Sequence, residues 1–250
     1  LIAFAATRTV HRLTVALEDA GLEIRDQIAW VQWQGFPKSH DVSKALTTED
    51  AQKWEGWGTA LKPAYEPCVL ARKPLEGTVA ENVLAHGVGG INIDGCRYAY
   101  GDPAWPGPGD AIESKDIPAT DARGTSLSGS VDGSLRRAWH FDGTKGRWPA
   151  NLYACPKASR GEREAGCEEL PPRPGGSTVK GYTEDMARGL DRNRPVGNSH
   201  PTVKPSGLTR WLVRMITPPG ATVLEPFAGS GTTLLAAEAE GVTCIALSLI

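Results

Sequence analysis

The sequence has almost no net charge: 27 Lys and Arg against 29 Asp and Glu leave −2 over 250 residues. That excludes a surface attracting polyanions as a whole, so any nucleic-acid contact must come from a local patch. It has no apolar run of membrane-spanning length and no charged segment leading into an apolar signal core, so no membrane partner is expected. It has no tight cysteine spacing. Five cysteines, an odd number, read as free thiols in a reducing compartment, and a cytoplasmic protein is expected. Cys155, Cys167 and His140 lack zinc-site spacing and a fourth ligand, so no metal is assigned. His11, His40 and His86 have no partner spacing, and no Ser/His/Asp signature is present. There is no initiating Met: Leu1-Ile2-Ala3-Phe4-Ala5 already reads as a strand, which suggests a fragment lacking its N-terminal part.

What is present is an α/β pattern. Val10, Leu13, Ala16, Leu17 and Ala20 share one helical face, and Gly21 ends it. Glu23 to Trp33 returns to strand. Strand, helix and strand in about thirty residues is the unit of a doubly wound sheet. Gly35-Phe36-Pro37-Lys38-Ser39 is a loop, and Val42 to Trp57 mixes helix formers with charge. Lys62 to Arg72 turns from loop into strand, and Thr78 to His86 is a short helix closed by Gly87.

From Gly87 to Arg194 glycine and proline crowd in and periodicity weakens, the mark of an insertion that is not part of the sheet. Within it, Arg136 to Arg163 carries Arg136, Arg137, Lys145, Arg147, Lys157, Arg160 and Arg163 against Asp142 and Glu162. Trp139, Phe141, Trp148 and Tyr153 are interleaved. Two readings stand: cations on phosphates with aromatics on bases, or a solvated basic face over a small satellite core. Phe36 beside Lys38 and Ser39 reads either as a contact to a flipped base and a phosphate or as a surface loop whose Phe packs inward.

Near the C-terminal end, Thr222 to Leu224 reads as a strand, Gly229 and Gly231 as a loop and Thr232 to Glu240 as a helix. Glycines there let backbone approach a ligand, and a helix start suits a carboxylate or phosphate. Glu225 suits an ammonium or a hydroxyl. No Lys follows the second glycine, so this is not a Walker loop, and a plain strand-to-helix turn is the other reading.

Asn198-Ser199-His200-Pro201-Thr202-Val203-Lys204-Pro205, followed by Glu225-Pro226-Phe227-Ala228-Gly229-Ser230-Gly231-Thr232-Thr233, resembles the AdoMet-binding half of the β-arrangement DNA amino-methyltransferases. The match runs over about 35 residues, with Glu225 where that family usually has Asp. Arg8 to Leu13, Glu18 to Gly21 and Gly35 to Ser39 resemble the half following the family's catalytic motif. The resemblance implies a doubly wound Rossmann-like AdoMet-dependent methyltransferase sheet in permuted order. It implies a methyltransferase domain at 1–86 and 195–250 with a target-recognition region at 87–194. AdoMet is the implied cofactor, held by His200, Thr202, Lys204 and Glu225 to Thr232, and duplex DNA the implied partner, with a restriction endonuclease as a possible second one. DNA contacts are implied at Lys38, Ser39, Arg136, Arg137, Arg147, Lys157 and Arg160.

The implied reaction is methylation of adenine N6 or cytosine N4 at specific sites. The family's catalytic tetrapeptide, a polar residue followed by Pro-Pro and an aromatic, is absent from the sequence, so no catalytic residue is assigned. Ser248 stands where the family usually has a ribose-binding acid. A non-catalytic remnant that binds DNA or AdoMet, and an α/β enzyme using another nucleotide, stay open as alternatives.

Overall fold

The computed structural model describes residues 1–99, 102–104, 146–169, 171, 197, 198, 200 and 202–247. Arg136, Arg137, Trp139, His140, Phe141, Lys145 and Ser248 lie outside the described residues.

β1 (Ile2–Phe4), α1 (Val10–Asp19) and β2 (Glu23–Val31) follow one another as expected. Val10, Leu13 and Leu17 of α1 are half-buried, whereas Ala16 and Ala20 are exposed, so the covered stripe is narrower than the sequence pattern. Gly21, at φ +83°, turns the chain out of the helix. Between Val42 and Trp57 the chain forms only α2 (Thr48–Ala51), with single 3₁₀ turns at Ser43–Ala45 and Gln52–Trp54.

β3 (Tyr65–Arg72) pairs antiparallel with both β1 and β2, so β1 and β2 run parallel on either side of it. α3 (Val79–His86) has both ends specified locally. Thr78 accepts from the Glu81 N–H, the Glu81 side chain returns to the Thr78 N–H, and Gly87 closes the helix at φ +68°.

The expectation that 87–194 contributes nothing to the sheet is corrected at Leu152–Ala154. These residues form β4, parallel to β2, giving the order β1-β3-β2-β4. A three-residue strand is too short to show alternation in a Gly- and Pro-rich background. Tyr98 of the same region is buried, and its hydroxyl donates to the Leu152 carbonyl at 2.7 Å.

The core forms where α5 (Ser206–Ile216) lies against this sheet. Leu208, Trp211, Leu212 and Met215 recur at helical spacing and pack with Ile28, Trp30, Cys68, Cys96 and Tyr98. Trp211 stands between Tyr98 and Tyr153, centroids 6.0 and 5.0 Å away, and its indole N–H donates to the Cys96 carbonyl. Burial pushes the Cys68 thiol up to about 12 and Cys96 up to about 11, so both are inert protonated packing groups. All five cysteines are free thiols.

β5 (Thr222–Glu225), α6 (Thr232–Ala239) and β6 (Thr243–Ala246) follow α5, and β5 and β6 pair in parallel. The six strands among the described residues thus form a mixed α/β architecture in two hydrogen-bonded pieces, of four and two strands. Glu240, just past α6, joins the pieces: it accepts from Arg210 at 2.8 Å and from Arg214 through both oxygens at 2.7 Å.

Candidate functional site

β5 ends at Glu225, and its carboxylate organises the loop after it. One oxygen accepts the Phe227 N–H and the other the Thr233 hydroxyl, both at 2.9 Å. The hydroxyl that Glu225 suits is therefore one from its own chain. The Ala228 N–H donates to the Leu247 carbonyl, which fixes the turn against the strand that follows α6. Gly229 and Gly231 have φ of +54° and +80°, values that other residues adopt only with strain. Gly231 precedes the first turn of α6 with no side-chain cap, and a first turn has N–H groups without intrahelical partners. Phe227 is exposed beside that turn.

His200, far off in sequence, meets this loop. A Cβ on Gly229 would lie 2.9 Å from His200 Nε2 and 3.2 Å from Cε1. The imidazole thus occupies the space that any side chain at 229 would need. The Thr202 N–H donates to His200 Nδ1 at 3.3 Å, and the His200 N–H donates to Asn198 Oδ1 at 2.9 Å. Lys204 turns away, toward the four-stranded sheet. Its ammonium lies 3.1 Å from Glu66 Oε2, with the Phe4 and Trp30 ring centroids at 4.8 and 5.5 Å. His200 thus meets the glycine loop while Lys204 reaches Phe4 at the end of β1.

Of the candidate DNA contacts, Lys38 is exposed. The Ser39 hydroxyl is engaged inside its own loop, accepting from the N–H groups of Thr59 and Ala60 at 2.9 and 3.3 Å. Arg147 pairs through its backbone with Tyr98. Lys157 and Arg160 have exposed side chains on either side of Ser159, and the Lys157 N–H donates to Gln34 Oε1 at 2.7 Å. Of the interleaved aromatics, Tyr153 belongs to the main core and is pushed up to about 12 by burial. Trp148 is exposed, with the Arg97 guanidinium 5.0 Å from its ring centroid.

The family model described as DNA methylase matches residues 1–248. The chain belongs to the DNA methylase family.

Among relatives of this DNA methylase chain, the type II methyltransferase M.HindIII of Haemophilus influenzae is 24% identical over 242 residues. The match covers 94% of this chain and 54% of that protein. The putative methylase YubD of Escherichia coli K12 is 36% identical over 86 residues, 28% of this chain and 38% of YubD. The chain spans about half the length of M.HindIII, and its match covers less than half of YubD. Among solved structures, the M1.HpyAVI–SAM complex is 14% identical at TM-score 0.40, covering 100% of this chain and 67% of that one. The cytosine-N4-specific PvuII DNA methyltransferase is 15% identical at TM-score 0.42, covering 97% and 52%.

Glu66 cannot be found from sequence, because its partner Lys204 lies 138 positions away. α4 (Arg160–Glu164) could have been found. Ser159 and Glu162 form a capping box, a Ser-x-x-Glu signature legible in the sequence.

Proposed function

We propose that the parent protein transfers a methyl group from AdoMet to an exocyclic amino group, adenine N6 or cytosine N4, in duplex DNA. Family membership supports the reaction class, and the observation that carries the site is the meeting of His200 with Gly229. Two motifs separated by the whole of α5 and β5 converge on one glycine-lined helix start. That start fits the cofactor: backbone at Gly229 and Gly231 carries no Cβ, and the first-turn N–H groups of α6 suit the carboxylate of its methionine part. Glu225 supports this loop from below, and Lys204, anchored on Glu66, holds the His200–Thr202 stretch in place. When bound, AdoMet supplies an activated methyl.

The target nitrogen is a poor nucleophile because its lone pair is delocalised into the base. Polar acceptors and a stacking aromatic must align it, and the polar-Pro-Pro-aromatic tetrapeptide that would provide them is not in these 250 residues. We place that tetrapeptide on a strand adjoining β1, supplied by a further segment of the parent protein. The 1–86 and 195–250 stretches then form the methyltransferase domain, to which 87–194 adds β4 and the buried Tyr98. The 87–194 stretch reads the target sequence, with Lys157, Arg160, Arg136 and Arg137 on phosphates. We assign the protein to the cytoplasm, with a restriction endonuclease as companion activity.

Calorimetry with AdoMet tests the site. Gly229→Val places methyls into the His200 ring at a positive φ, and Gly231→Val strains φ +80°; both are expected to abolish measurable binding. Equal affinity in wild type and both variants would sink the assignment. Radiolabelled AdoMet with mixed-sequence DNA tests the chemistry. The chain alone is expected to transfer no label, because losing positioning costs several orders of magnitude in rate. Label above a no-protein control would show that the catalytic groups lie within this chain.

A further inference from the structure

α4 is a single short turn of helix in the region assigned to target recognition, yet Arg163 and Glu164 grip the stretch that carries His200 and Glu162 grips the head of α5. Glu164 Oε2 accepts the Gly197 N–H at 2.7 Å. Arg163 Nη2 donates to the His200 carbonyl at 3.0 Å, while the Arg163 carbonyl accepts from Asn198 Nδ2 at 2.8 Å. Glu162 divides its oxygens. Oε2 accepts the Ser159 N–H at 2.8 Å, and Oε1 takes the hydroxyl and N–H of Ser206 at 2.7 and 3.2 Å. The residue before Ser206 is Pro205, which offers no side-chain cap, so the negative charge at the start of α5 comes from Glu162.

The grip is close-fitting. A Cβ on Gly197 would lie 2.8 Å from the Cys167 carbonyl and 3.2 Å from Glu164 Oε2. Asn198 then holds the His200 N–H, and the His200 ring covers Gly229. A line of contacts therefore runs from α4 through Gly197, Asn198 and His200 to the glycine loop. On its other side α4 follows β4, and its lead-in is tied to the sheet: Trp30 Nε1 donates to the Cys155 carbonyl and the Lys157 N–H to Gln34.

We infer that Arg163, supported by Glu162 and Glu164, is a positioning residue for the glycine loop and acts through His200. Neither carboxylate nor guanidinium touches the loop itself. Arg163 fixes the backbone at 200, and the ring at 200 then limits what the loop at 229 can do. The helix that holds this ring belongs to the region carrying Lys157 and Arg160, so nucleic acid seated on those cations would bear on the loop through α4. Only the ligand-binding arm of the test rests on the proposed cofactor site.

Hydrogen exchange of the amides of residues 225–235, with no ligand present, reads the loop directly. Arg163→Ala is expected to speed exchange there roughly tenfold or more, about the loss of one hydrogen bond to a charged group, while amides of β3 keep their protection. Arg163→Lys, which retains a donor for the His200 carbonyl, should recover part of it. In a His200→Ala background Arg163→Ala should add nothing, because the ring through which it acts is gone. If Arg163→Ala loses β3 protection as well, Asn198→Ala, which frees the same backbone, is the variant to read. Unchanged loop exchange, or fully additive effects of Arg163→Ala and His200→Ala, would overturn the inference. Calorimetry should show the same order of AdoMet affinities. If wild type binds no AdoMet, the cofactor reading fails, and the exchange data still decide the role of Arg163.

Discussion

The four-stranded piece with α5 and the β5-α6-β6 piece are built on opposite economies. In the first, Trp30, Cys68 and Leu208 are 1–2% exposed, and large side chains interlock around Trp211. In the second, the buried residues among those described are Ala236 and Ala237, while Leu224, Ile245 and Phe227 are 65, 55 and 80% exposed. The piece that carries the candidate cofactor loop thus buries little on its own account. It keeps its place through α5, through the Glu240 ion pairs and through the His200 contact. A packed platform and a lightly packed ligand-bearing lobe divide the work, as expected where a loop must stay open to a ligand.

That contrast can be broken hardest at Trp211. Trp211→Ala removes the ring that joins Tyr98, Tyr153 and the Cys96 carbonyl. It should cost about 3–5 kcal/mol by chemical denaturation. A loss under about 1 kcal/mol would mean that α5 is not the centre of the core.

The junction between the pieces gives the next effect. Hydrogen bonds from Arg214 first, and then from Arg210, hold Glu240 below its ordinary 4.5 against the opposing pull of burial. A depressed carboxylate contributes stability above its unfolded value, and that contribution fades as pH falls through the folded one. Glu240→Gln should therefore cost about 1.5–3 kcal/mol at neutral pH. It should also flatten the decline of stability on acidification below about pH 4.5. Thermal melts of both proteins across pH 3 to 7 measure this, and parallel pH curves would remove Glu240 as the joint.

The smallest effect is expected on the exposed face. Leu224→Thr should change stability by no more than about 0.5 kcal/mol, because there is little burial to lose. A cost comparable to Trp211→Ala would show that this face is covered in solution.

The parts legible in the sequence were those whose cause is local. α3 carries its capping box and its closing glycine within ten positions, and the β5 loop shows its glycines directly. His200 and Gly229 were paired by resemblance, but their contact, and the ring as the reason no side chain fits at 229, needed the fold. β4 was hidden by its brevity, and the region between Val42 and Trp57 broke into single turns that no periodicity announces. The contacts of Lys204 with Glu66, Phe4 and Trp30 are assembled by strand pairing and cannot be inferred from spacing. The role of Glu162 at the head of α5 was obscured because a cap is ordinarily sought in the same helix, and here it comes from another.

Leu224 and Ile245 stand opposite each other in the β5–β6 register and are both more than half exposed, with Leu247 one position beyond the end of β6. Such an apolar strip governs handling as much as chemistry. At high concentration, or in salting-out buffers that strengthen apolar burial, these faces will find one another before they find water. Purified chain should therefore be kept dilute and in moderate salt, and a dye that fluoresces on apolar surfaces should brighten on the native protein, not only on the unfolded one.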